Sequence, residues 1–534
     1  MIDLQAQHTQ GPSPMKDTHR WRNPRLALMA MLLPLAVAST AQNAPQPPPG
    51  PRLVTVDTPS VAAAEARTQS VPQARREPTA PPLPADFDVA RFEAMAQAMV
   101  SNGRVPGMAL AIVKDGRILT ARGYGTTDVD TGEGVGAHTV FRLASLSKAF
   151  AGTVTGMLVS EGSLRWDSHV SDFMPGLQLS QPGAAQQLTV AEVLSHRVGL
   201  THNAYDRMVE DGVDYRSLVQ KLAYAPMTCA PGECYAYQNV AFSLVGDVVF
   251  AATGRFYSEA VTGRIFKPLG MDDASYGLDG IRASQSWARP HVRSRRGWVS
   301  LTAPKPTYYR VAPAAGVNAS ISDMAQWLIA QTGHRPDVLP APLLATLHSP
   351  VVSTPGEIRG SSWRRSRLDH AGYGIGWRVY DYSGHRLVYH GGAVQGYRGA
   401  IALLPERDLG LVVLWNSSSG LPGGLVPTIV DAALGMPAGD WLDLDEDDVE
   451  LLYAARKSAA KRKPAKKAAA KRKPAKKAAA KRKPAKKAAK KTAKKPARKA
   501  AKRPAKKKAA KKARRPAKRK AAPVAMPSAP APMM

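Results

Sequence analysis

Apolar positions recur at two different periods along the chain, and the change of period divides it. From Val89 to Ser101, Phe92, Met95 and Met99 fall three and four residues apart, the spacing of one helix face. Met108 to Val113 and Arg117 to Gly123 instead read as strands, and Lys114-Asp115-Gly116 between them carries the Asp-Gly pair of a tight hairpin. A short extended segment, Thr139 to Arg142, precedes a helical pattern over Ser145 to Gly162, with Phe150, Val154, Met157 and Leu158 at helical intervals. Further helices are predicted over Val190 to Leu194, Tyr215 to Ala223, Val240 to Ala252 and Ser322 to Thr332. Strands return in Arg386 to His390, Tyr397 to Leu404 and Gly410 to Trp415, a meander whose last turn is Pro405 to Asp408. Strands at both ends with helices between predict an α+β fold. One antiparallel sheet is built from both ends of the domain and flanked by helices, beside an all-helical region.

Neither period holds at the two ends of the chain. Lys16, Arg20, Arg22 and Arg25 precede the apolar run Leu26 to Ala38, and Ser39-Thr40-Ala41 puts small residues where a signal peptidase cuts. Residues 1–41 therefore read as a signal for export to the periplasm or the medium. The alternative is an anchor that stays uncleaved, for which the run is short. Residues 42–86, rich in Pro, Ala, Gln and Thr, read as a disordered linker. The packed domain is expected over 87–438, with an acidic segment at 439–455. Residues 456–534 repeat Lys-Arg-Lys-Pro-Ala-Lys-Lys-Ala-Ala-Ala at 461 and 471 and nearly so at 481, with Pro464, Pro474 and Pro484 against a helix and too few apolar side chains for a core. That tail is expected to be disordered.

Charge changes the picture only at the tail. The formal net charge is +33, yet 35 of the 74 Lys and Arg lie from Arg456 to Lys520, and no acid follows Glu450. The remainder holds 74 − 35 = 39 basic residues against 41 acidic ones, a net of −2. Arguments from charge about partners thus concern the tail alone. The two cysteines, Cys229 and Cys234, either close the small loop between them as a disulfide or stay reduced. Two thiols alone do not make a metal site, and neither metal nor cofactor is expected.

Three short motifs carry candidate chemistry. Ser145-Leu146-Ser147-Lys148 puts an amine one helical turn from a hydroxyl, at a helix N-terminus that favours developing negative charge. A Ser hydroxyl needs a base to become a nucleophile, and a Lys of lowered pKa is one. The same spacing occurs at Ser458-Ala459-Ala460-Lys461 in the tail, so the motif by itself says little. Tyr237-Gln238-Asn239 adds a second proton-transfer group, as tyrosinate or as a neutral relay, and an amide able to hold Lys148 and a substrate. His390-Gly391-Gly392 ends a predicted strand, where glycines let substrate backbone lie against its edge. The amides of Ala393 and Ser145 then supply a candidate oxyanion hole.

Together these motifs resemble the serine β-lactamase and penicillin-binding-peptidase superfamily, in its class C-like branch. The resemblance covers roughly Phe87 to Ala438. It extends to Val193-Leu194-Ser195-His196-Arg197-Val198-Gly199-Leu200, Pro231-Gly232, Lys267-Pro268-Leu269-Gly270-Met271, Ala315-Gly316 and Tyr373-Gly374-Ile375-Gly376-Trp377. It implies that Ser145 is acylated and that Lys148 and Tyr237 share the proton transfers. It also implies that Asn239 orients Lys148 and substrate, and that His390, Gly391, Gly392 and Ala393 line the third side. Class C β-lactamases typically have Lys-Thr-Gly where this chain has His390-Gly391-Gly392. The His form resembles peptidase and esterase members, with Arg398 a candidate to restore a positive charge. The expectation is a serine hydrolase acting on D-amino-acid peptides, in the manner of a D-alanyl-D-alanine carboxypeptidase, or on related amides and esters. A class C-like β-lactamase or a carboxylesterase is the alternative. The tail resembles the Lys-Ala-Pro-rich tails of linker histones, which opens a nucleic-acid-binding alternative. For an exported protein, anionic envelope polymers are the expected partners instead.

Overall fold

The structure is a computed structural model and describes residues 80 to 470. The expected export signal, nearly all of the linker and the tail beyond residue 470 lie outside the described residues. Strands β1 (Gly107–Lys114) and β2 (Arg117–Gly125) form the expected hairpin. Asp115 and Gly116 both take positive φ, 51° and 66°, which an Asp-Gly pair accepts at little cost. Strands β3 (Val352–Ser353), β4 (Leu368–Tyr373), β5 (Arg378–Tyr382), β6 (His385–Val394), β7 (Tyr397–Leu404) and β8 (Leu409–Trp415) join them. The eight strands form one antiparallel sheet in the order β2-β1-β8-β7-β6-β5-β4-β3. β1 pairs β8 from Met108↔Trp415 to Lys114↔Leu409, so both ends of the domain meet inside one sheet.

The expected meander is β6-β7-β8, but β6 runs on past His390 to Val394. Strands β3 to β5 lack a readable alternation. Asp369, His370 and Asp381 sit among Tyr and Ala, and pairing with β6 is what orders them.

Both faces of the sheet are covered, which is why every residue of β1 is buried. Helix α1 (Val89–Ser101), capped by Asp88, and the helix Leu425–Leu434 pack on one face. Helix α2 (Ser147–Ser160), the helix Ile321–Ile329 and the helical region pack on the other. α2 is buried on nearly every side, as an all-round apolar helix must be. Phe150 stacks on Trp327 with ring centroids 4.2 Å apart, and truncating it to Ala would cost about 3–5 kcal/mol. The helical region contains Val190–Leu194, at its expected bounds, Tyr215–Lys221 and Leu244–Thr253. Cys229 and Cys234 are joined as a disulfide, with their Cα atoms 6.2 Å apart.

The packed body continues past residue 438, because Trp441, Leu442 and Leu444 lie against the core. The helix Glu446–Ala470 then carries the chain into the basic stretch, so residues 456–470 are helical where disorder was expected. Glu446, Asp447 and Asp448 suit the helix N-terminus. Val449, Leu452 and Tyr453 dock on Ala94, Met95 and Ala98 of α1. Lys457 pairs with Asp88 at 2.8 Å, and Arg456 pairs with Glu93. With one end pinned, the helix preference of Ala, Lys and Arg extends the element.

Candidate active site

The strand Val140–Arg142 pairs with Val317–Ser320 and delivers the chain to Ser145. The Leu143 amide donates to Val317 O at 2.9 Å. Ala144 then turns the backbone at φ +51°, a conformation that costs a non-glycine residue about 1–3 kcal/mol and persists only where its flanks are fixed. The outcome is a 3₁₀ turn, Ala144–Leu146, with Ser145 at its centre and α2 starting at Ser147. The helix was expected to open on Ser145 itself. Ser147 is a buried anchor: its Oγ accepts from the Val317 amide at 3.0 Å.

Strand β6 closes on this turn from the other side. Its pairing with β5 stops at Arg378↔Tyr389, whereas its pairing with β7 runs on to Val394↔Tyr397. Residues 390–394 therefore present a free backbone edge beside Ser145. Glycine at 392 is obligatory there, since a Cβ would stand 2.5 Å from Leu143 O and 3.3 Å from Ser145 N. Gly391, Gly392 and Ala393 line the same cavity as Ser145.

Lys148 is completely buried. Its Nζ lies 3.5 Å from Ser145 Oγ and donates to Asn239 Oδ1 at 2.6 Å and Ala314 O at 3.2 Å. Burial drives its pKa well below that of a free lysine; the nearby Asp206 carboxylate works against this and Arg378 adds to it. Tyr237 shifts the other way. Desolvation raises its phenol, partly offset by the Arg378 charge and by contact with Ser145. A protonated hydroxyl is thus the favoured resting form at neutral pH, which suits the neutral-relay role. Lys148 Nζ sits 4.6 Å from the Tyr237 ring centre, and Asn239 Nδ2 donates to Asp206 Oδ2 at 2.7 Å. Desolvation raises the Asp206 carboxyl.

His390 differs from expectation. Its imidazole is fully buried and is not among the residues that line the cavity. The overhanging strand sends residues 391 and 393 to one face and 390 and 392 to the other, so His390 points behind the wall. There it joins a chain whose direction is fixed at both ends. The Gln238 amide donates to His196 Nδ1 at 3.1 Å, so His196 carries its proton on Nε2 and donates to Tyr373 Oη at 3.2 Å. Tyr373 then donates to His390 Nε2 at 3.2 Å, and His390 Nδ1 donates to Gly391 O at 2.8 Å. Burial, with Lys148 and Arg378 nearby, holds both imidazoles well below their usual pKa and keeps them neutral. His196 also packs on Tyr237, ring centroids 4.3 Å apart.

Sequence reasoning thus missed Asp206, the strained Ala144 and the assignment of His390 to a buried chain. No spacing ties Asp206 to Asn239, 33 residues on. His196 and Tyr373 stood within recognised segments, but nothing in either segment pairs them. The cavity that holds Ser145 measures about 600 Å³. Among the described residues, its charged lining consists of Asp206 and the arginines 364, 378 and 398, without a lysine. Among the described residues, no group of three His, Cys, Asp or Glu stands together as a metal site.

The Beta-lactamase family model matches residues 92–434. The unguisins hydrolase ungD' of Aspergillus campestris is 26% identical over 408 residues, 72% of this chain and 72% of that one. The octameric penicillin-binding protein homologue from Pyrococcus abyssi has a similar fold, with a TM-score of 0.58 and 24% identity over 66% of this chain and 79% of that one. So does the D-amino acid amidase from Ochrobactrum anthropi SV3 complexed with L-phenylalanine amide, at a TM-score of 0.54 and 21% identity over 65% and 98%.

Proposed function

From the premise that the chain belongs to the beta-lactamase family and is a serine hydrolase, we propose that Ser145 forms an acyl-enzyme with small D-amino-acid peptides or related amides and esters. One observation carries this reading: a buried lysine of lowered pKa, held by Asn239 and the Ala314 carbonyl, stands 3.5 Å from a serine hydroxyl at the cavity floor. Neutral Lys148 takes the Ser145 proton as Oγ attacks the substrate carbonyl. Tyr237, protonated at rest, hands a proton to the departing amine or alcohol and is reprotonated from Lys148. The amides of Ser145 and Ala393 hold the oxyanion; the 3₁₀ turn does not use the first, and the second lies on the free edge of β6. Water then repeats the attack on the acyl group, with Lys148 and Tyr237 in the same roles.

The substrate reading is supported by two facts. The amidase neighbour is named for D-amino acids, and its fold matches over nearly its whole length. Further, among the described residues no lysine lines the cavity where class C β-lactamases typically hold one, and the residue in its place is a buried His390. An exported location is our reading too, supported by the charged and apolar N-terminal run and by the joined Cys229 and Cys234. The basic tail then faces anionic envelope polymers.

The test is intact mass of the full chain with a fluorophosphonate and with benzylpenicillin, beside the Ser145→Ala variant. A single adduct on the Ser145 peptide, absent in the variant, is expected, together with release of D-alanine from D-alanyl-D-alanine peptides. Turnover by Ser145→Ala would remove the nucleophile assignment.

A further inference from the structure

The cavity does not stop at Ser145. It wraps over the free edge of β6 onto the opposite face of the sheet, where small side chains leave a depression. Register places Ala393, Arg398 and Trp415 in one row across β6, β7 and β8, and Gly391, Ala400 and Val413 in the next. Tyr389, Ala400, Val413 and Trp415 belong to the core on that face, which sets the direction of both rows. Trp363, Arg364, Tyr389 and Trp441 wall the depression; the Trp363 and Tyr389 ring centroids are 5.7 Å apart.

Charge in this chamber is unbalanced. Glu357 pairs with both Arg364, at 2.7 Å, and Arg378. No carboxylate among the described residues pairs with Arg398. Among the buried polar atoms without a hydrogen-bond partner in the described residues are Arg364 Nε and Ser361 Oγ. Buried donors are normally satisfied. Here they belong to residues that line a space bounded by aromatic rings.

We infer that this chamber is a binding subsite for an aromatic group bearing a carboxylate, such as the C-terminal aromatic residue of a peptide. The inference rests on the hydrolase reading above and adds the substrate class. A peptide lying along residues 390–394 sends alternate side chains to opposite faces. One position faces Ser145, and its neighbour drops onto Gly391, Ala393 and Ala400. The rings take its aromatic group, while Arg398 takes its carboxylate through charge-assisted hydrogen bonds. The chain thereby supplies, from the far face, the cation that a neutral His390 does not.

The test is calorimetric titration of the full-length Ser145→Ala chain with N-acetyl-D-phenylalanine, its amide, and N-acetyl-D-alanine. The free acid of phenylalanine should bind about ten-fold or more tightly than its amide, the scale of a hydrogen bond to a charged group. It should also outbind N-acetyl-D-alanine. Arg398→Gln should shrink the acid-to-amide gap to about three-fold or less, and Ala400→Leu should remove the preference for phenylalanine by filling the floor. Equal binding of acid and amide overturns the subsite, as does a gap that survives Arg398→Gln. Neither result depends on a variant's catalytic competence. Failure of a fluorophosphonate to label wild-type Ser145, with the binding pattern intact, would instead remove the hydrolase reading and leave the subsite standing.

Discussion

The chain carries the spacing Ser-x-x-Lys at Ser13, Ser145 and Ser458, and the two copies that begin within the described residues have different fates. Ser458 lies exposed on the helix Glu446–Ala470, with Lys461 three residues on in the same element. Ser145 sits on a 3₁₀ turn ahead of α2, and Lys148 is sealed beneath it. Helical spacing brings the Ser145 hydroxyl and the Lys148 amine to one face. Around Ser145 the fold removes water from the amine, holds it with Asn239 Oδ1 and a main-chain carbonyl, and brings a glycine strand edge alongside. The lesson is that the motif specifies proximity, and that burial changes the lysine from a cation into a base.

The sharpest test of that contrast substitutes both serines. Ser145→Ala should lower kcat by about 10⁴-fold or more, while Ser458→Ala should leave activity unchanged and stability within about 0.5 kcal/mol. Loss of activity in the second variant would erase the distinction between the copies.

The strand edge comes next in size. Gly392→Ala places a Cβ 2.5 Å from Leu143 O, so β6 must retreat from the turn. A displacement of about 1 Å at the reacting atoms costs on the order of 10² in kcat. Near-normal kcat would show that the edge does not position the substrate.

Asp206→Asn probes the electrostatics of Lys148. The base must be neutral, so kcat/KM rises with pH as Lys148 loses its proton. Because its pKa is lowered, that rise completes well before the pH at which a free lysine titrates. The Asp206 charge holds the Lys148 pKa up, and its removal should move the acid limb to lower pH, with kcat changed on the order of ten-fold or less. A limb that moves upward would contradict the assignment of Lys148 as base. At high pH, activity should persist past pH 10 before falling, because Tyr237 is held protonated above the usual phenol range.

Tyr373→Phe has the smallest expected effect. It leaves His196 Nε2 and His390 Nε2 without their shared partner. Two buried groups then go unmet, at a cost of about 1–3 kcal/mol in stability each, with only a few-fold change in kcat. Thermal denaturation alongside kcat separates the two. A collapse in kcat at unchanged Tm would place the buried chain in the proton path rather than behind it.

Much of the scaffold was legible because its signals are local. The Asp115-Gly116 turn, the helix spacing of Phe92, Met95 and Met99, and the short apolar run within Tyr397–Leu404 each need only neighbours to act. Strands β3 to β5 were not, since their order comes from pairing with β6. The helical run of residues 456–470 was not either, because Pro464 argued against it while the docking of Val449, Leu452 and Tyr453 on α1 is tertiary.

The sequence by itself determined which groups are present in order: a serine three residues before a lysine, a Tyr-x-Asn segment, and glycines on a strand. Chain chemistry and local spacing suffice for that. Tertiary structure decided what those groups are. It buried Lys148, which lowers the pKa of its amine, and raised that of the Tyr237 phenol. It also turned His390 away from the cavity and set Asp206 against Asn239 from a distant segment. The reason is physical: pKa and accessibility depend on desolvation and on charges brought near in space, and neither quantity is written in the spacing of residues along the chain.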